Sequence, residues 1–211
     1  MSYEYSELMA WNAEHKVYPM APPEYGPVDY HRATIERWLW DNRELMMTPT
    51  YDIGAEFRRE YVPGLRTVNT QEYDTPYALV RPDVLGDVTK LPLADGEAGA
   101  VICTETLEHV PNLFRAVSEI KRVLRPTGWA FLTAPFIWPT HDTEHYGDYW
   151  RITEQGWRFL LADFESVMVT PVEMRKPARS LWGHVATWQV MGNGWENTAP
   201  TGFMVAARKA A

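Results

Sequence analysis

Three consecutive stretches of this chain restrict its fold more than any other feature. Gly99-Ala100-Val101-Ile102-Cys103-Thr104 is short, apolar and uncharged. Asn112 to Arg125 carries Leu113, Ala116, Val117, Ile120, Val123 and Leu124 at helical spacing. Trp129 to Pro135 is apolar again. A strand covered on both faces reads as a continuous apolar run rather than an alternating one. A helix lying on a sheet needs one apolar stripe. Asn112 stands where a side-chain oxygen caps the first turn, and Pro126 and Gly128 end the helix. Strand and helix in alternation imply an α/β layer with a mainly parallel sheet.

The same alternation extends both ways. Tyr51 to Ile53, Leu65 to Thr70 and Val84 to Val88 read as strands upstream. Thr153 to Ala162 reads as a helix downstream, and Phe164 to Val172 and Gly202 to Arg208 as the last strands. Trp157, Phe159, Leu160 and Leu161 are expected in the core, with Met46 and Met47 as filler. Residues 1–27, with Pro19, Pro22, Pro23, Gly26 and Pro27, read as an irregular arm holding a short helix at Tyr5 to Glu14. Ile35, Trp38, Leu39 and Leu45 share one side of a helix expected over Val28 to Met46. No repeat or linker divides the rest, so residues 28–211 are expected to form one domain. Its cofactor half spans about 48–135 and its substrate and lid half about 136–211.

Charge and cysteine count exclude several classes. Twenty Lys and Arg against 28 Asp and Glu give a net charge of −8, a poor match for a nucleic-acid backbone. The single Cys103 excludes an internal disulfide and a thiolate-built zinc site. The N-terminus lacks the basic region and apolar stretch of a signal peptide. The strongest apolar run, Ala130 to Trp138, is too short to cross a bilayer. A cytoplasmic protein is expected, with no membrane association, and the arm's tyrosines make a second copy of the chain a candidate partner.

Ligands of such sheets bind at the carboxyl ends of the strands, where strand order reverses. There the residues carry a resemblance. Gly86-Asp87-Val88-Thr89-Lys90-Leu91-Pro92-Leu93 is followed by Ala100 to Val110, including Thr104-Glu105-Thr106-Leu107-Glu108-His109. Glu119 to Gly128 and the strand ending at Pro135 come next. In order, spacing and residue type, from about Thr50 onward, this resembles the class I S-adenosylmethionine-dependent methyltransferases. His141 to Thr153, with Asp148-Tyr149-Trp150-Arg151-Ile152-Thr153, is similar to a small branch often associated with glycan pathways. The resemblance implies a Rossmann-like, mainly parallel seven-stranded sheet and S-adenosylmethionine as cofactor. It implies methyl transfer to an oxygen or nitrogen of a small-molecule or sugar-type acceptor. It places Asp52 and Gly54 at the turn beside the methionine portion, where glycine lets the backbone approach. Glu72, twenty residues beyond Asp52, falls to the ribose, with Asn69 and Asp74 as rivals. Asp87 and Val88 fall to the adenine, and Thr104 and Glu105 to the methyl end. Family members carry two or three glycines in the first loop, whereas here Gly54 is followed by Ala55-Glu56-Phe57-Arg58-Arg59-Glu60.

The segment from Trp138 to Arg151 reads as a loop over the pocket. His141 and His145 are the candidate general bases, because imidazole titrates near neutral pH. Glu108-His109 reads mainly as an anchor for the following turn. His141-Asp142-Thr143-Glu144-His145 has two histidines four apart but no helical pattern, so no metal site is expected there. Trp138, Tyr146, Tyr149 and Trp150 suit an aromatic wall for the acceptor. Arg151 either holds an acidic substrate group or pairs with Asp148. The alternative to an enzyme is a methyltransferase-fold binding module without catalysis, suggested by the single-glycine loop. A nicotinamide enzyme lacks its Gly-x-Gly-x-x-Gly turn here, and a base-modifying enzyme lacks a Pro-Pro-Tyr-type tetrapeptide after the fourth strand.

Overall fold

A computed structural model describes residues 5–15, 28–55, 59–74, 79–173 and 200–211. In chain order the elements are α1 (Tyr5–His15), α2 (Val28–Asp41), β1 (Thr50–Ile53), β2 (Leu65–Asn69) and β3 (Tyr73–Asp74). There follow β4 (Leu79–Val80), β5 (Val84–Leu85), β6 (Ala98–Cys103), α3 (Leu113–Val123) and β7 (Leu124–Pro135). The last are α4 (Glu154–Leu160), β8 (Ser166–Glu173) and β9 (Pro200–Arg208). The main sheet has seven strands in the order β5-β2-β1-β6-β7-β9-β8, and β3 and β4 form a separate pair. The strand pairs from β5 to β7 are parallel. Strand β9 runs antiparallel to both β7 and β8. The chain builds outward from β1 through β2 to β5, then returns to place β6 on the other side of β1. That reversal puts a crevice at the carboxyl ends of β1 and β6.

Strand β6 shows why its sequence is apolar throughout. Ala100 and Ile102 join Ile35, Trp38 and Leu39 of α2, together with Met46, Phe131 and Met204. Val101 and Cys103 join Val117 and Ile120 of α3, with Leu132, Trp157 and Val205. Side chains alternate across a strand, so a layer on each face requires apolar residues at every position.

Element boundaries shift where side chains compete for backbone groups. Helix α2 stops at Asp41 instead of running to Met46. The Asn42 side chain donates to the Trp38 carbonyl at 2.7 Å and its backbone N–H reaches the same oxygen at 3.2 Å. Arg43–Leu45 then forms a single 3₁₀ turn. Helix α3 starts as expected, with Asn112 accepting from the Arg115 N–H at 3.2 Å. It ends at Val123, because Leu124 is already extended and pairs with Ala98. Strand β7 therefore begins five residues before Trp129. A register shift between Ala98 and Ala100 takes up the extra chain, with Thr127 at φ +63.

Phe159 is a correction. It lies 72% exposed, edge-on to Phe114, because the short α4 turns Trp157 and not Phe159 into the core. Leu161 is fully buried and Leu160 partly so. Met46 is buried, whereas Met47 is only partly covered. Helix α1 places Leu8 and Trp11 on Ala33 of α2, with Trp40 and Tyr61 alongside. The prolines of the arm lie outside the described residues. No helix among the described residues is long and apolar enough to cross a membrane.

Gly99 lies so close to the Met47 carbonyl that an added Cβ would stand 2.1 Å from that oxygen. The obstacle is backbone, which yields little. Gly99→Ala is expected to destabilise the chain by about 2–3 kcal/mol, measured by denaturant unfolding. A change near zero would show that the 47–50 segment moves freely away from β6.

Candidate active site

Arg59 follows the first loop and reaches the end of β1. Its guanidinium pairs with Asp52. It also meets Glu36 of α2 through Nη2 at 2.8 Å and Nε at 3.1 Å, and donates to Thr104 Oγ1 at 3.0 Å. The Tyr61 hydroxyl donates to Glu36 at 2.9 Å. The charged groups of Asp52, Glu36 and Arg59 are all at least 97% buried. Two carboxylates thus share one cation, and the three groups carry one excess negative charge. Among the described residues Asp52 Oδ1 has no hydrogen-bond partner. Burial, opposed by Arg59, pushes the Asp52 carboxyl up to about 6.

Gly54 makes this turn with φ +76, and a Cβ there would stand 2.2 Å from Thr106 Oγ1. Only glycine fits. Glu56, Phe57 and Arg58 lie outside the described residues.

At the end of β6, Glu105 adopts φ +47, an uncommon backbone for a non-glycine residue. Its carboxylate lies 3.3 Å from His31 Nε2 and accepts from the Thr133 hydroxyl at 2.8 Å. His31 Nδ1 is 3.0 Å from the Thr201 hydroxyl. Burial alone would raise the Glu105 carboxyl. The His31 and Arg32 charges and the Thr133 hydroxyl outweigh it and hold Glu105 at about 2.

These two carboxylates affect stability in opposite senses. The folded pKa of Asp52 is raised, so stability rises as pH falls from about 6 to about 4. That of Glu105 is depressed, so its contribution is present above about 4.5 and is lost as pH falls toward 2. Asp148, held low by Arg151, adds to the acid loss. Thermal unfolding across pH is expected to show a gentle rise and then a steep fall. Asp52→Asn should flatten the first limb and Glu105→Gln should weaken the second. Unchanged profiles in both variants would contradict these assignments.

Beyond β6, a 3₁₀ turn at Leu107–His109 places Glu108 fully inside. Its backbone carbonyl accepts from the Tyr149 N–H at 2.8 Å, so the turn anchors the overlying loop. Among the described residues no other residue donates a hydrogen bond to either carboxylate oxygen of Glu108, and its own backbone N–H favours the charged form. Burial and the nearby Glu105 and Asp148 charges push its carboxyl well above the usual range. His109 Nε2 lies 3.6 Å and His141 Nε2 3.9 Å from Glu108 Oε1. His145 stays at the surface, 66% exposed, 3.4 Å from Glu144.

The remaining loop residues are mostly engaged with the protein. Arg151 pairs with Asp148 through Nη1 at 2.5 Å and Nη2 at 2.6 Å, and Nη2 donates to the Pro139 carbonyl at 3.1 Å. Trp150 donates to the Val110 carbonyl at 2.8 Å. Trp138 lies 5.2 Å from the His31 ring and Tyr146 lies 4.3 Å from the His109 ring. Trp138 therefore lies against His31 and Tyr146 against His109.

On the other side of the crevice, Asp87 is exposed and closes an Asx turn, its Oδ1 accepting from the Thr89 N–H and hydroxyl at 2.7 Å. Val88 is buried beside it. Glu72 is 59% exposed, 3.8 Å from Arg81, and Asn69 caps its own following N–H at 2.8 Å. The Asp74 side chain lies outside the described residues.

Sequence reasoning missed Arg59, Glu36 and His31. The single signal for Arg59 was the loop in which it stands, charged where glycines are usual.

Comparison with known proteins agrees with this architecture. A family model for a methyltransferase domain matches residues 61–132. The human thiol S-methyltransferase TMT1B is 30% identical over 105 residues, covering 43% of this chain and 41% of that protein. The chain thus aligns with less than half the length of that relative. A SAM-dependent methyltransferase from Archaeoglobus fulgidus superposes with a TM-score of 0.61 at 15% identity, covering 98% of this chain and all of that one (100%). One from Thermotoga maritima gives 0.53 at 15% identity over 97% and 95% of the two chains. At such identity these superpositions establish the fold.

Proposed function

We propose that the chain, similar over residues 61–132 to a methyltransferase-domain family model, is a class I S-adenosylmethionine-dependent methyltransferase that methylates an oxygen or nitrogen of a small-molecule or sugar-type acceptor held under the 138–151 loop. The observation that carries this reading is the charge at the crevice. Asp52 and Glu36 outnumber Arg59, Asp52 Oδ1 lacks a donor, and Glu105 stays ionised beside them. Such a site favours a ligand with cationic groups and one carboxylate. S-Adenosylmethionine, when bound, supplies a methyl carbon on a cationic sulfur; an acceptor lone pair would attack that carbon in line while the carbon–sulfur bond breaks and leaves neutral S-adenosylhomocysteine.

The residues fit that group. Asp52 would hold its ammonium and Arg59 its carboxylate, with Gly54 giving the backbone turn. Glu105 and Thr104 would lie toward the sulfur, Glu72 would take the ribose, and Asp87 and Val88 the adenine. Alignment of acceptor, methyl carbon and sulfur supplies much of the acceleration. A hydroxyl acceptor also needs its proton removed. Glu108 with His141 is the best-placed group of lone pairs for this, whereas His145 is exposed and lies beside Glu144 alone. Trp138, Tyr146 and Trp150 would face the acceptor, and Arg151 would act by fixing the loop through Asp148.

Two other readings have specific support. The human relative is a thiol S-methyltransferase, which makes a thiol the second acceptor class. Arg59 standing in the first-loop site favours a binding module without turnover. Formation of S-adenosylhomocysteine, followed by mass spectrometry against sugar, amine and thiol panels, separates the three. Turnover with hydroxyls or amines supports the reading, and turnover with thiols alone moves the acceptor. Cofactor binding without turnover in any panel favours the module.

A further inference from the structure

Glu108, His109 and His141 each offer one ligand atom, and the three atoms lie within 4.8 Å of one another. His109 Nδ1 is 2.6 Å from the Gly147 carbonyl. That oxygen can only accept, so Nδ1 carries the proton and Nε2 a lone pair. His141 Nδ1 is 3.2 Å from Asp148 and 3.2 Å from the Pro139 carbonyl, both acceptors. In the neutral ring its Nε2 is then a lone pair as well. Both Nε2 atoms face the Glu108 carboxylate, which is fully buried and, among the described residues, receives no hydrogen bond from another residue. Three side chains that can each offer an electron pair thus converge. Buried polar atoms seldom stay unpartnered.

We infer that Glu108, His109 and His141 form a binding site for one divalent transition-metal ion, zinc being the best chemical match. Two imidazoles and a carboxylate suit a borderline-soft ion. The Gly147 carbonyl and Asp148 are the outer partners that fix which ring nitrogen binds. Donors about 2.1 Å from one ion in a tetrahedron stand about 3.4 Å apart. The two carboxylate-to-imidazole separations, 3.6 and 3.9 Å, thus need a few tenths of an ångström of closure, and the imidazole-to-imidazole separation, within 4.8 Å, needs up to about 1.4 Å. Three protein ligands leave a fourth position for water or for an acceptor hydroxyl or thiol, whose proton the ion makes easier to lose. The ion site stands on its own geometry; its role toward the acceptor rests on the methyl-transfer reading.

The test uses the full chain, without a histidine tag, stripped with chelator and then titrated with Zn²⁺ and with Co²⁺ in the absence of any cofactor. One ion per chain is expected by calorimetry, with the visible absorption of four-coordinate cobalt. Glu108→Gln and His141→Ala, checked for folding by circular dichroism, are expected to bind at least about a hundredfold more weakly. Glu144→Gln, in the same loop but outside the cluster, should bind as the wild type does. Folded wild-type protein showing neither stoichiometric binding nor the cobalt spectrum overturns the inference. So does an infrared band of a protonated carboxyl that persists with zinc present and disappears in Glu108→Gln, since a proton would then fill the gap. Because no cofactor is present, failure here leaves methyl transfer untouched, and loss of methyl transfer leaves the ion site untouched.

Discussion

Arg59→Met is expected to lower stability by about 3–5 kcal/mol, because it leaves Asp52 and Glu36 buried without their shared cation. Both acids are at most 3% exposed, so water cannot take over the role of the guanidinium. For a chain of this size the loss corresponds to a fall in thermal midpoint of roughly 10 °C. The same physics predicts a rescue. Neutral replacement of the whole cluster (Glu36→Gln, Asp52→Asn, Arg59→Met) removes the stranded charges and should recover most of the loss, since buried ion clusters are often no more stabilising than uncharged substitutes. Differential scanning fluorimetry on both variants reads this directly. A single variant within about 2 °C of wild type would mean that Arg59 does not fill the crevice in solution.

Glu105→Gln is expected to separate two ligands that differ in one charge. S-Adenosylmethionine carries a cationic sulfur, whereas the sulfur of S-adenosylhomocysteine is neutral. Glu105 stays ionised at neutral pH, held low by its partners against the effect of burial, and the proposed binding mode sets it toward that sulfur. Glutamine keeps an oxygen able to accept from Thr133 but removes the charge. Affinity for S-adenosylmethionine should fall about 10- to 100-fold, within the range of close charge pairs, while S-adenosylhomocysteine is held nearly as before. Calorimetric titration with both ligands gives the ratio. An equal loss for both would show that Glu105 shapes the site without reading the sulfur.

The fold was legible where a local pattern forced it. The apolar run at Gly99–Thr104 and the striped segment from Asn112 each admit one placement in a layered sheet, and both took it. Boundaries were less legible, because the Asn42 side chain and the Leu124 pairing compete for backbone groups in ways that periodicity does not record. Phe159 was misplaced because a helix of barely two turns has room to bury one large residue, and Trp157 takes that place. The polar site was harder. Arg59 reads as a solvated charge until Glu36 and Asp52, from two separate elements, are brought around it. His31 likewise acquires its meaning from Glu105 and Thr201, 74 and 170 residues away. Glu108-His109 reads in the sequence as an anchor, and the Glu108 carbonyl holds the overlying loop through the Tyr149 N–H. Its second property depends on His141, thirty-odd residues on, whose orientation is set by Asp148.

The most direct test of the account is calorimetric titration of the purified chain with S-adenosylmethionine, using Asp87→Ala as control. One site per chain is expected, bound by the wild type and lost or greatly weakened when the carboxylate assigned to the adenine is removed. Absence of binding by a folded wild-type chain, with zinc supplied and with zinc withheld, would contradict it.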